Sequence, residues 1–152
     1  MNVAAHLRPE LIRVAPPWTS FDETVSGLVQ VLVDGGALPP ESAAEAADAV
    51  SEREALASTA LLDIHAAVPH ARLSTLRTTA VGLAVAGRGL YEAVPTVAIH
   101  IVALVLSPAT ANTDHLNVLA SMATLLRSPE LRAALLAARD GREAFGLLVE
   151  RA

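Results

Sequence analysis

The chain has 152 residues, 53% of them hydrophobic, 18% charged and none cysteine, which suits one compact core that folds without covalent staples. The missing cysteines exclude a disulfide framework, a thiolate metal site and a cysteine nucleophile. A formal charge of -5 argues against nucleic acid as a partner, and because all eleven basic residues are Arg, lysine Schiff-base and Walker-type phosphate chemistry are excluded.

The N-terminal residues scatter His6, Arg8, Glu10 and Arg13 among apolar ones and hold no signal-peptide apolar stretch. A short apolar segment, Leu11 to Val14, precedes the stop at Pro16-Pro17. Ser20-Phe-Asp-Glu23 then has capping-box spacing, in which a hydroxyl and a carboxylate satisfy orphan amides at a helix start. Phe21, Val25, Leu28, Val29 and Leu32 recur on one helical face, and Asp34-Gly35-Gly36 supplies a left-handed stop. Pro40 opens a second, alanine-rich helix running to about Leu56, with Glu41 and Glu45 near its positive end.

Between Thr59 and Leu106 the pattern turns to short runs rich in Val and Ile, Ala80 to Val85 and Val97 to Leu106, separated by Gly87-Arg88-Gly89 and Pro95. Mean hydropathy is +0.45, so a membrane span has to be tested. The uncharged stretch between Glu92 and Asp114 is broken by Pro95, His100 and Pro108, and its unbroken apolar part, Ile101 to Leu106, falls far short of the roughly 20 residues a spanning helix needs. It reads as a buried strand, and direct membrane insertion is not expected. Three helix starts follow, at Thr113-Asp114, Ser128-Pro129-Glu130 and Asp140-Gly-Arg-Glu143. Leu116, Leu119, Met122 and Leu126 are expected to line the first helix, Leu131 and Leu135 the second, Phe145 and Leu148 the third. The order of elements predicts one three-layer α/β domain over residues 1–152, with its core from about 11 to 150, in the cytoplasm.

Four of the five histidines, His65, His70, His100 and His115, lie in the central region. His70 directly follows Pro69 and stands two residues before Arg72. Proline fixes the backbone entering such a site, imidazole offers a nucleophilic nitrogen near neutral pH, and Arg grips a phosphate bidentately. The plain alternative is a loop histidine beside a solvated charge.

The ordered motifs around His70 resemble those of a known family. Arg53-Glu54-Ala55-Leu56-Ala57-Ser58-Thr59, followed by Ala67-Val68-Pro69-His70-Ala71-Arg72, is similar to the signature of the fructose/mannitol/nitrogen-type enzyme IIA domains (EIIA type 2) of the bacterial phosphotransferase system. That signature runs R-E-x4-T, a glycine-rich loop, then I-A-I-P-H. Gly89 to Ala93, Val97 to Pro108 and His115-Leu116 resemble the family's later elements, so the similarity spans essentially the whole chain. The resemblance implies a mixed central sheet flanked by helices. It implies that His70 takes a phosphoryl group from a histidine-containing phosphocarrier protein and gives it to a cysteine of a IIB domain, or holds it as a signal of sugar and nitrogen status. His115 would be the second histidine near the phosphate, and Arg53 the arginine beside the site, with Arg72 as a further neutralising group. No cofactor and no bound metal are expected.

The sequence departs from the family in one place. Thr59-Ala-Leu-Leu-Asp-Ile-His-Ala-Ala-Val-Pro-His70 contains no glycine and is one residue longer than the family's T-G-I-G-x-G-I-A-I-P-H. Glycines there let the backbone approach a phosphate, so their loss opens a second reading: a IIA-like regulatory or docking domain of a membrane transporter, membrane-associated only through that partner. His65 has no family counterpart and is either a strand residue aimed at the pocket or a new functional group. A zinc site of His65, His70 and His115 is a weaker reading, because His-x4-His across a proline does not place two ligands on one helical face. His100 is expected to be a core or sheet-edge histidine with a backbone partner.

Overall fold

The first helix starts where the capping box places it in the computed structural model, which describes residues 3–151. Glu23 N–H donates to Ser20 Oγ at 3.0 Å, while the Glu23 carboxylate reaches one residue further back than a standard box, accepting from the Thr19 amide at 2.8 Å. Helix α1 (Phe21–Asp34) ends at Gly35, with Gly36 left-handed at φ 74°. A single 3-10 turn beginning at Pro40 leads into α2 (Ala43–Leu56).

The main sheet contains β1 (Ile12–Val14), β2 (Ala60–Leu61), β3 (Ala66–Ala67), β4 (His70–Leu73), β5 (Ala80–Val85) and β8 (Ile101–Pro108). β6 (Tyr91–Val94) and β7 (Val97–Ile99) form a separate antiparallel pair. The order across the main sheet is β1-β5-β8-β3-β2, with β4 also on β8. β5 pairs antiparallel along one edge of β8; β3 and β4 pair parallel along the other. β3 and β4 are one strand interrupted at Val68-Pro69, since Ala66 faces Ile101 and His70 faces Val105 in unbroken register. Proline has no amide to donate, but its carbonyl still accepts from Val105 N–H at 3.0 Å.

Every residue of β8 is buried, as expected for a strand covered on both faces. Val102, Leu104 and Leu106 join the core shared with Leu28, Leu32 and Val50 of α1 and α2. Ile101, Ala103 and Val105 join the opposite core, shared with α3 (Asn112–Leu126), α4 (Pro129–Ala137) and α5 (Gly141–Arg151) through Met122, Leu135 and Leu148. Two helical layers therefore sandwich a mixed sheet, as the order of elements predicts. Among the described residues no helix is long and apolar enough to cross a membrane.

Two expectations are corrected. Val97 to Leu106 is two strands in different sheets, because His100 interrupts the run: its amide donates to His65 O and its carbonyl accepts from Ala86 N–H, both at 2.8 Å. Leu116 does not line the core of α3 but is 65% exposed. The inward face is His115, Val118, Met122 and Leu126, since the helix begins at Asn112 with its polar first turn partly turned inward.

Candidate functional site

Among the described residues β4 pairs with β8 alone, so the sheet ends there, and a cavity of about 910 Å³ opens beside it between the last turns of α2 and the first turns of α3. His70, Arg72, His115 and Arg53, the four candidates read from the sequence, all line it. Alternation along β4 explains part of this. His70 pairs with Val105 and Arg72 with Ser107, so both side chains project toward α3 while Ala71 turns to the α2 side.

His70 is half-buried, and its Nδ1 lies 2.9 Å from the carbonyl oxygen of Val68. A carbonyl only accepts, so the neutral ring carries its proton on Nδ1 and its lone pair on Nε2. The His115 ring is tilted against His70 with centroids 5.2 Å apart, and its Nδ1 shares a 2.7 Å hydrogen bond with Ser107 Oγ. Only 6% of His115 is exposed. Burial holds its pKa down to about 4, and the neighbouring His70, Arg72 and Arg53 add to that, so His115 is neutral at physiological pH.

The basic groups are held from both sides of the cavity. Arg72 Nη1 donates to Asn112 Oδ1, at the first residue of α3. Arg53 Nη1 donates to Ala57 O at 3.2 Å, just past the end of α2. Glu54 accepts from the Thr59 amide at 2.9 Å and from its hydroxyl at 2.7 Å. In the Arg-Glu-x4-Thr motif, therefore, Glu54 and Thr59 turn the chain out of α2 and leave Arg53 at the cavity wall. Leu56, 84% exposed, and Leu116 also line the opening.

The glycine-free segment forms a tight hairpin. Ala60-Leu61 pairs antiparallel with Ala66-Ala67, a 3-10 turn spans Leu62–Ile64, and His65 takes the left-handed conformation (φ 54°, ψ 39°). Histidine is one of the few non-glycine residues enriched in that region. Arg127 near the end of α3 ties the turn through Asp63 at 2.7 Å. His65 is neither a strand residue nor part of the cavity lining. It packs against His100, with ring centroids 5.8 Å apart, so the four central histidines sort into two pairs, His70 with His115 and His65 with His100. His100 has the expected backbone partner, Ala86 O at 3.0 Å. Ser107 and Asn112 escape sequence reasoning. Ser107 has a signal in retrospect, a hydroxyl near the end of an otherwise apolar, wholly buried strand.

Residues 5–150 match the family model described as "Phosphoenolpyruvate-dependent sugar phosphotransferase system, EIIA 2". The PTS system fructose-specific EIIA component of Haloferax volcanii is 27% identical over 142 residues, covering 93% of this chain and 90% of that protein. Nitrogen regulatory protein IIA-Ntr from Neisseria meningitidis superposes with a TM-score of 0.80 at 20% identity, over 96% of this chain and 98% of that one. The enzyme IIAMTL from Escherichia coli, solved in complex with phosphorylated enzyme IIBMTL, gives 0.75 at 22% identity, over 95% and 98%. A cavity edged by an interrupted strand, a match across nearly the whole chain and a shared fold lead to one conclusion: this chain belongs to the EIIA type 2 family of the phosphoenolpyruvate-dependent sugar phosphotransferase system.

Proposed function

We propose that this protein is a phosphoryl carrier that accepts its phosphoryl group on His70 Nε2 from a histidine-containing phosphocarrier protein and passes it to a separate acceptor such as a IIB domain. The observation that carries this reading is the His70 Nδ1 to Val68 O contact, which leaves Nε2 as the nucleophilic nitrogen of a ring lining a cavity with two arginines. In the forward step the Nε2 lone pair attacks phosphorus in line. The donor's P–N bond breaks, and its electron pair returns to the donor imidazole.

Charge on the three equatorial oxygens is what the site must stabilise, and pre-placed donors do this best in a partly desolvated cleft. Arg53 and Arg72 supply the opposing positive charge. His115 is neutral, so when Ser107 donates to its Nδ1, its Nε2 carries a proton it can donate to a phosphoryl oxygen. Transfer onward reverses these events. The sequence has no cysteine, so a cysteine acceptor comes from outside it. The solved complex of the mannitol relative with phosphorylated IIB supports a IIB-type acceptor.

The test is incubation with the phosphorylated carrier protein followed by intact-mass measurement. One acid-labile phosphoryl adduct is expected on wild type and none on His70→Ala. No adduct on folded wild type, under conditions that label another IIA protein, would sink the relay. It would favour a docking domain of a membrane transporter, a role that the exposed Leu56 and Leu116 at the cavity also suit.

A further inference from the structure

We propose that His65 and His100 form a second site, a two-imidazole clamp for a divalent first-row transition metal of the zinc type, separate from the cavity at His70. Each ring is oriented as metal-binding histidines are, with one nitrogen committed to an outer acceptor and the other left for the ion. His65 Nδ1 lies 2.8 Å from Ala98 O, and His100 Nδ1 lies 3.0 Å from Ala86 O. Because carbonyls only accept, both neutral rings carry Nδ1–H and present the Nε2 lone pair. Among the described residues neither Nε2 has a hydrogen-bond partner.

The two rings are also placed together by the backbone. His100 N–H donates to His65 O at 2.8 Å, which fixes the start of β8 against the turn that enters β3. Two imidazoles bound through nitrogen to one tetrahedral zinc, at about 2.0–2.1 Å each, hold their ring centres about 5 Å apart. The observed separation is 5.8 Å with an interplanar angle of 65°, close to that spacing, and the His65 ring is exposed. Among the described residues no set of three or more His, Asp or Glu side chains is gathered to hold a metal, so the protein supplies two donors and water the others. Imidazole donors of this kind suit Zn2+, Ni2+ and Cu2+ and disfavour Mg2+ and Ca2+. His65 precedes His70 by five residues of mostly extended chain, roughly 15 Å, so the clamp would bind independently of the cavity while bracing the hairpin that leads into it.

The experiment is calorimetric titration of Zn2+ into the full chain, with histidine side-chain NMR as a second readout. Wild type and His70→Ala are expected to bind one equivalent with the same affinity, and His65→Asn and His100→Ala to lose at least tenfold. Asn accepts the left-handed conformation, so His65→Asn keeps the hairpin and separates ligand loss from unfolding. The His65 and His100 ring signals should shift first, and saturating Zn2+ should raise Tm in wild type but not in His65→Asn. Three results would overturn the proposal: no binding to wild type at 100 μM or below, wild-type affinity in His65→Asn, or loss of binding in His70→Ala. None depends on whether His70 carries phosphate.

Discussion

Replacing Ser107 by Ala tests the least obvious member of the site. Ser107 is fully buried on β8, and its Oγ is the hydrogen-bond partner of His115 Nδ1 at 2.7 Å. Alanine removes that partner without adding bulk, leaving a ring nitrogen unsatisfied at a position only 6% exposed. An unpartnered buried polar group costs about 1–3 kcal/mol. For a chain of this length, at about 2–4 °C per kcal/mol, Tm should fall by about 2–12 °C. The effect on chemistry is distinct: once the hydroxyl no longer sets the ring, the His115 tautomer should become mixed. The rate of phosphoryl transfer to His70 should then fall about tenfold, equivalent to about 1.4 kcal/mol, while the final adduct still forms. Calorimetry reads the first effect, long-range 15N correlations of His115 the second, and quenched-flow mass measurement the third. An unchanged tautomer with Tm within 1 °C of wild type would refute the view that Ser107 positions His115.

Other consequences follow from the same structure. His115 is neutral in the fold at a pKa of about 4 against 6.5 when unfolded, so between those values the unfolded chain binds the extra proton and stability drops as pH falls. The loss is on the order of 3 kcal/mol from pH 7 to 4, levelling off below, and urea unfolding of wild type against His115→Gln should show a flatter slope in the variant. Glu23, held low by the Thr19 amide, and Asp63, held low by the Arg127 hydrogen bond, lose their contributions only as pH falls through their own depressed pKa values, below 4.5 and 3.8. Two glycines of α5 should behave oppositely when changed to Ala. At Gly141 a Cβ would meet backbone oxygens of Pro9 at 2.6 Å and Ile12 at 2.9 Å, so the variant should lose about 1–3 kcal/mol. At Gly146 an added Cβ would meet nothing within 4 Å among the described residues beyond its own helix, and helix propensity should add about 0.5–1 kcal/mol in denaturant melts.

The amino-acid order by itself determined the local features of this protein. Helix starts at Ser20, Ser128 and Asp140 depend on side chains reaching amides three residues away, and those hydrogen bonds form as the spacing predicts. The inward face of α1 follows from its 3.6-residue period, and the ordered motifs around Arg53, Thr59 and His70 carry the family. The tertiary structure decided what depends on residues far apart in the chain. Val97 to Leu106 reads as one apolar run, yet His100 is claimed by His65 and Ala86, and the chain changes sheets there. Leu116 fits a helical stripe, but docking of α3 on the sheet turned His115 inward in its place. The pairing of histidines, the Ser107 contact and the Arg72 contact with Asn112 all come from strand register and helix placement. A one-residue shift in register turns each side chain to the opposite face, and nothing in a local window records that choice.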